Sequence, residues 1–219
     1  AMKADGGAAL ERLVDDSILA GQGAPMETYR ISLPPSQKRV AAIRLQLIPH
    51  ESLPQNGPGR AGNGNIVLTR VEFHRGNSET GTPLAIARAA HDHAQPGFSA
   101  ANLIDGDPDT GWAINVGKGT PKGVKMNAEH EAHFVFAEPM APGAGGIEVV
   151  LRHEKNANYN LGRFAFDVSE TAPHPVAEER LLTTLQVSAD KRSADDKKFL
   201  AAEFEKVDAE KRVAQARVT

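Results

Sequence analysis

Six segments of this chain alternate apolar and polar residues or run apolar for a few positions: TYRISL (28–33), VAAIRLQLI (40–48), NIVLTRVEFH (65–74), AHFVFA (132–137), IEVVLRH (147–153) and RFAFDVS (163–169). A period of two places successive side chains on opposite faces of an extended chain, so each segment must bury one face against another layer. Stretches rich in Gly and Pro separate them, at 49–64, 76–83 and 139–146. Gly supplies positive φ and Pro presets its own, so these stretches read as turns. Short alternating strands between such turns predict an all-β fold, an antiparallel sandwich over residues 8–172. PLAIARAAHDH (83–93) has helical propensity, but its neighbours favour a strand there too.

After Pro173 the pattern changes. Residues 173–219 read as a helical extension, with Pro175 at a first helical position and Leu181, Leu182 and Leu185 on one side. Ser193 and Asp196 have the spacing of a capping box, and Leu200, Phe204 and Val207 then fall on one helix face. Asp195 and Asp196 open this helix and Lys211, Arg212 and Arg217 close it, which complements the helix dipole. The abrupt end inside a helical pattern reads as a cut from a longer parent, and residues 1–7 read as an expression scar and disordered start. No secretory signal is seen.

Composition excludes several classes of function. A net charge of −3 gives no basic footprint for nucleic acid. No apolar run approaches the length of a membrane span, so no membrane insertion is expected. The chain has no cysteine, which excludes a disulfide scaffold, a thiolate metal site, a thiol nucleophile and covalent haem attachment, and so haem of that kind in this chain. No serine sits in a Gly-x-Ser-x-Gly elbow, and no catalytic arrangement stands out, so the chain reads as no enzyme.

The most distinctive stretch is NLIDGDPDTGWAI (102–114). Asp105, Asp107 and Asp109 alternate in a loop where Gly106 allows positive φ and Pro108 fixes one φ. Alternate carboxylates can converge on a hard cation such as Ca²⁺. They can equally serve as Asx-turn acceptors with no metal. The bidentate Glu and flanking helices of an EF-hand are missing.

With its flanks, SAANLIDGDPDTGWAI resembles the signature of discoidin-like domains, the coagulation-factor type C modules with a galactose-binding-like jelly roll. The resemblance implies a structural Ca²⁺ held by Asp105 and Thr110, with oxygens from Asn102, Asp107 and the carbonyl of Thr69. It also implies that Trp112 is a core residue. The best match to the family's terminal strand, VLTRVEFH (67–74), precedes the loop here, so the sandwich looks circularly permuted, with 65–74 lying beside 105–112. Where that strand carries a Glu in the family, this chain has Arg70. Four stretches in the same order, including IRLQLIPHESLPQNGPGRAGNGNIVLTRVEF and NLGRFAFDVSETAPHPV, also look like a module of large exported planctomycete-type proteins that carry a cytochrome-type haem domain. That resemblance implies a periplasmic or extracellular setting and places any haem elsewhere in the parent.

The polar and aromatic loop RHEKNANYN offers Arg152, His153, Asn156, Asn158 and Tyr159 as candidate ligand contacts. Amides and Arg can bridge sugar hydroxyls, and an aromatic face covers a sugar's C–H patch. Such Asn residues equally suit a plain hairpin loop. His91 and His93 would share a strand face if extended, and with Arg60 they form a second group of candidates. GPGRAGNGN (57–65) lacks the Lys-Ser/Thr of a phosphate loop and reads as a structured loop whose glycines permit close packing. The leading expectation is a carbohydrate-binding module that brings its parent to a polysaccharide or other glycan. The alternative is a structural docking domain contacting flanking domains of the parent, favoured by an aromatic content of 5%.

Overall fold

A computed structural model of the chain describes residues 1–172, 184, 185, 187–201 and 204. In chain order the strands are β1 (Met2–Ala4), β2 (Leu10–Arg12), β3 (Ile18–Ala20), β4 (Thr28–Leu33), β5 (Val40–Leu47), β6 (Val67–Leu68), β7 (Arg70–Arg75), β8 (Thr82–Pro83), β9 (Ile86–His91), β10 (Trp112–Ala113), β11 (His130–Met140), β12 (Ile147–Arg152) and β13 (Arg163–Ser169). They form a five-stranded sheet ordered β1-β4-β12-β7-β8 and a six-stranded sheet ordered β2-β3-β13-β5-β11-β9. All of these pairings are antiparallel. The all-β sandwich is therefore present.

Alternation decides which side chains fill the space between the sheets. Tyr29 and Ile31 of β4, Val71 and Phe73 of β7 and Val149 and Leu151 of β12 are buried on one side. Ile43, Leu45 and Leu47 of β5, Phe134 and Phe136 of β11 and Phe164 of β13 are buried on the other. Ring contacts join the layers: Tyr29 stacks on Phe164 at 5.8 Å, and Phe73 lies 5.4 Å from Phe134 and 5.3 Å from Phe136. Between the buried positions of β5, Arg44 stands across from Asp167 and bonds it at 2.6 and 3.1 Å, with Glu131 at 3.0 Å.

Three boundaries differ from expectation. The 65–74 segment is two strands, because the amide and hydroxyl of Thr69 both turn to the carbonyl of Arg152 (2.9 and 2.8 Å). There the chain leaves β10 and joins β12. Residues 1–7 are not a disordered start: Met2–Ala4 pairs with β4, Met2 and Ala4 pack on the core, and Asp5 bonds Arg30 at 3.0 Å. A three-residue strand is too short for periodicity to show in sequence. The 83–93 segment contains the strand Ile86–His91, stabilised by pairing with β11 rather than by its own propensity.

The second compact unit begins at Ala177. Within it, residues 194–201 are helical and Ser193 caps them reciprocally with Asp196: Asp196 N donates to Ser193 Oγ and Ser193 N to Asp196 Oδ2, both at 3.1 Å. The expectations at Pro175, Leu181, Leu182, Val207, Lys211, Arg212 and Arg217 lie outside the described residues. No described helix is long and apolar enough to cross a membrane.

Candidate functional site

The 152–160 loop is built around a buried anchor. The carboxylate of Glu27, 2% exposed, accepts from Gly6 N (2.8 Å), Ala8 N (3.1 Å) and Ala24 N (3.0 Å). A side chain at Gly23 would bring its Cβ to 2.0 Å from Glu27 Oε1, so only glycine leaves room for this carboxylate. The carbonyl of Glu27 accepts from the amide of His153 (3.0 Å) and from its ring Nδ1 (2.8 Å). His153 Nε2 accepts from Leu161 N at 3.1 Å. The ring is therefore the neutral Nδ1–H tautomer, and complete burial lowers its pKa to about 4. His153 is a packing residue, edge-on to Tyr29 at 5.1 Å, and cannot meet a ligand.

Of the neighbouring candidates, Arg152 and Arg60 have side-chain partners. Arg152 is the last residue of β12 and forks onto Glu72, with two bonds of 3.2 Å. Asn156 and Asn158 take positive φ (62° and 69°), which Asn tolerates better than most residues, so they shape the turn. Tyr159 is half-buried, and its carbonyl accepts from Val67 N. Arg60 donates to the carbonyl of Ala20 at 2.8 Å and ties the 57–65 loop to β3.

His91 and His93 do not share a strand face, because β9 ends at His91 and the chain turns at Asp92 to bond β11. His91 Nδ1 accepts from Ala100 N at 3.2 Å. His93 is buried, its carbonyl accepts from Trp112 Nε1 at 2.9 Å, and its ring lies 5.4 Å from His130. His130 bonds Asp92 and the carbonyl of Lys125, each at 2.9 Å. Burial alone would raise the Asp92 carboxyl, but the bond and charge of His130 with the backbone amides of Glu131 and His93 together outweigh it, and the net shift is downward.

The Asp-rich loop follows a 3-10 turn, Ala100–Ile104. Trp112 is fully buried and pairs with Leu68, so the contact between 65–74 and 105–112 is present. Gly111, at φ 155°, sits where a Cβ would lie 2.4 Å from the Leu68 carbonyl, which explains glycine there. Asp105 accepts from Asp107 N (2.8 Å) and Thr110 Oγ1 (2.8 Å), and Asp107 accepts from Asp109 N (2.9 Å). Asn102 faces the loop as a donor, its amide bonding the carbonyls of Gly97 and Gly111. Arg70 donates to the Gly106 carbonyl and Lys155 to the Asp109 carbonyl (2.5 and 2.6 Å).

This arrangement does not fit the Ca²⁺ that the family resemblance implies. The oxygens of Asp105, Asp107 and Thr110 already serve an Asx network, and Asn102 turns a donor inward. Two cationic side chains hold the loop carbonyls, and a divalent ion would have to displace or sit beside them. Thermal melts of the wild type with excess Ca²⁺ and with chelator should coincide, because only a ligand bound to the native state shifts the midpoint. Arg70→Ala should lower stability by about 1 kcal/mol through loss of the charged hydrogen bond. A rise in midpoint with Ca²⁺ would restore the metal site.

One concavity of about 450 Å³ lies where β7, the 83–86 segment and this loop meet. Arg70, Glu72 and His74 line it from alternate positions of β7, with Leu84, Ile86 and Ile104 as an apolar wall. Both ring nitrogens of His74 and Nε of Arg70 are buried with no hydrogen-bond partner. A carboxylate oxygen of Glu72 lies 3.7 Å from His74 Nε2, beyond hydrogen-bonding distance. Burial alone would raise the Glu72 carboxyl, but Arg152, together with Arg70 and His74, more than offsets that and holds it below its usual value. Orphaned buried polar groups are rare because each one costs stability. Three here belong to two residues that line the cavity, which marks it as the strongest candidate site. Sequence reading missed it, although ionisable residues at 70, 72 and 74 of an alternating strand must share one face. Among the described residues, no group of three or more His, Asp or Glu is placed to hold a metal ion. Comparison with known family models, curated proteins and solved structures finds no match to this chain.

Proposed function

We propose that the sandwich is a non-catalytic carbohydrate-binding module, which would bring a larger exported protein to a glycan. The observation that carries this reading is the cavity beside β7. Its volume of about 450 Å³ falls within the usual range for small-ligand sites, and it combines an apolar wall with a few convergent polar groups. Hydroxyls suit that lining: the Glu72 carboxylate accepts, the Arg70 guanidinium donates, and an imidazole such as that of His74 offers ring nitrogens. The aliphatic wall of Leu84, Ile86 and Ile104 would cover the sugar's C–H face.

His74→Phe tests the site. The substitution keeps a flat ring but removes two buried, unpartnered nitrogens, so the melting temperature should hold or rise. Affinity for any glycan bound by the wild type should fall by about tenfold or more in calorimetry, the equivalent of about 1.4 kcal/mol. Full affinity in the variant would move the site away from this cavity. A wild type that binds no member of a broad panel of plant, algal and bacterial oligosaccharides would favour the docking-domain reading.

A further inference from the structure

We infer that the β7 cavity anchors its glycan by main-chain groups at the open edge of β7 and takes 1,4-linked chains, whose rings keep two adjacent free hydroxyls, an inference that rests on the carbohydrate reading above. Strand parity decides which groups face outward. Just past β12, the amide of His153 bonds the carbonyl of Glu27 at 3.0 Å, so odd-numbered residues there bond β4 and even-numbered ones bond β7. Arg152 pairs with Arg70 and Val150 with Glu72, so Arg70 and Glu72 turn their main-chain groups to β12. Val71 and Phe73 turn theirs the other way, and the carbonyl of Phe73 accepts from the amide of Leu84 on that side at 2.8 Å.

β8 is too short to cover this edge. It pairs only Pro83 with His74 and Thr82 with Arg75, and beyond Leu84 no strand continues alongside β7. Val71 and Phe73 line the cavity there. Among the described residues, no main-chain bond joins Val71 to the opposite wall at Leu103, Ile104 and Gly106, nor the amide of Phe73 to Leu84. Val71 is buried, and unmade main-chain bonds in such a place cost stability, so a ligand that makes them gains affinity. An extended residue presents its N–H and C=O to the same side, which is how antiparallel partners exchange two bonds. Two adjacent ring hydroxyls can replace such a partner: one donates to the Val71 carbonyl and its neighbour accepts from the Val71 amide. In a 1,4-linked chain, hydroxyls 2 and 3 of the rings are free and adjacent. In a 1,3-linked chain the linkage takes hydroxyl 3, and every interior ring loses the pair.

Proton–nitrogen NMR titration of the full chain tests this. The probes are the 1,4-linked cellotetraose, xylotetraose and mannotetraose and the 1,3-linked laminaritetraose. At least one 1,4-linked tetraose should bind, with the Val71 and Phe73 amide signals among those most shifted and their hydrogen exchange slowed. Laminaritetraose should bind about tenfold more weakly, the equivalent of one lost hydrogen bond. Binding that leaves both amides unshifted would overturn the edge anchor while the carbohydrate reading stands. Laminaritetraose binding as tightly as the 1,4-linked chains would overturn the linkage class. Binding by none of the four would overturn this inference, and the broader oligosaccharide panel then decides the carbohydrate reading on its own.

Discussion

Glu27→Ala is expected to destabilise the sandwich by about 3–5 kcal/mol, the largest effect of any single surface-distant polar residue here. Three backbone amides, those of Gly6, Ala8 and Ala24, would lose their only side-chain acceptor. The damage would spread, because the backbone of Glu27 also bonds His153 and Asn160, which hold the 153–160 loop. Glu27→Gln keeps the shape. Its amide nitrogen placed at the Oε2 position would confront one N–H, whereas at Oε1 it would confront two. It should therefore choose the former and cost about 1–3 kcal/mol. Urea midpoints with unchanged slopes would measure both. An alanine variant within about 1 kcal/mol of wild type would show that water replaces the carboxylate at little cost.

The wild type should lose stability between pH 6.5 and pH 4, and His153 should be the main cause. Its folded pKa is about 4 against 6.5 for a free ring. Within that window the unfolded chain binds the proton and the native chain does not, so each step down in pH favours unfolding. The contribution is complete above pH 6.5 and gone by about pH 4, and its full size is on the order of 3 kcal/mol. Carboxyls held low, such as Glu72 and Asp92, release their stabilisation only as the unfolded carboxylates protonate, near pH 4. The interval from pH 7 to pH 5 therefore isolates the histidine. His153→Gln should start lower at pH 7 but lose much less across that interval in thermal melts. Parallel losses in wild type and variant would assign the effect elsewhere.

Much of the sandwich was legible because alternation is a local property. TYRISL, IEVVLRH and RFAFDVS became strands with nearly the expected bounds, since each buries one face whatever it pairs with. Trp112 was legible as core. The capping box at Ser193 and Asp196 was legible because its hydrogen bonds join residues three apart. The site was legible only in part. Arg70, Glu72 and His74 share a face by parity, yet the loop chosen from sequence, 152–160, was polar for a different reason. His153 and Asn160 bond the backbone around Glu27, and Arg152 forks onto Glu72.

The sequence by itself determined the all-β character, the positions of the turns and the inward faces, because these follow from the two-residue period and from the φ preferences of Gly, Pro and Asn. Only the tertiary structure decided which polar residues are spent and which are free. His153 and Glu27 are 126 positions apart and meet through a main-chain carbonyl. Arg152 takes Glu72 across 80 positions, and Arg70 reaches Gly106 across 36. Partners that distant are chosen by sheet order and register, which no local pattern encodes. So the same residue types, histidine above all, end as a buried packing ring at 153 and as a ring without hydrogen bonds beside a cavity at 74.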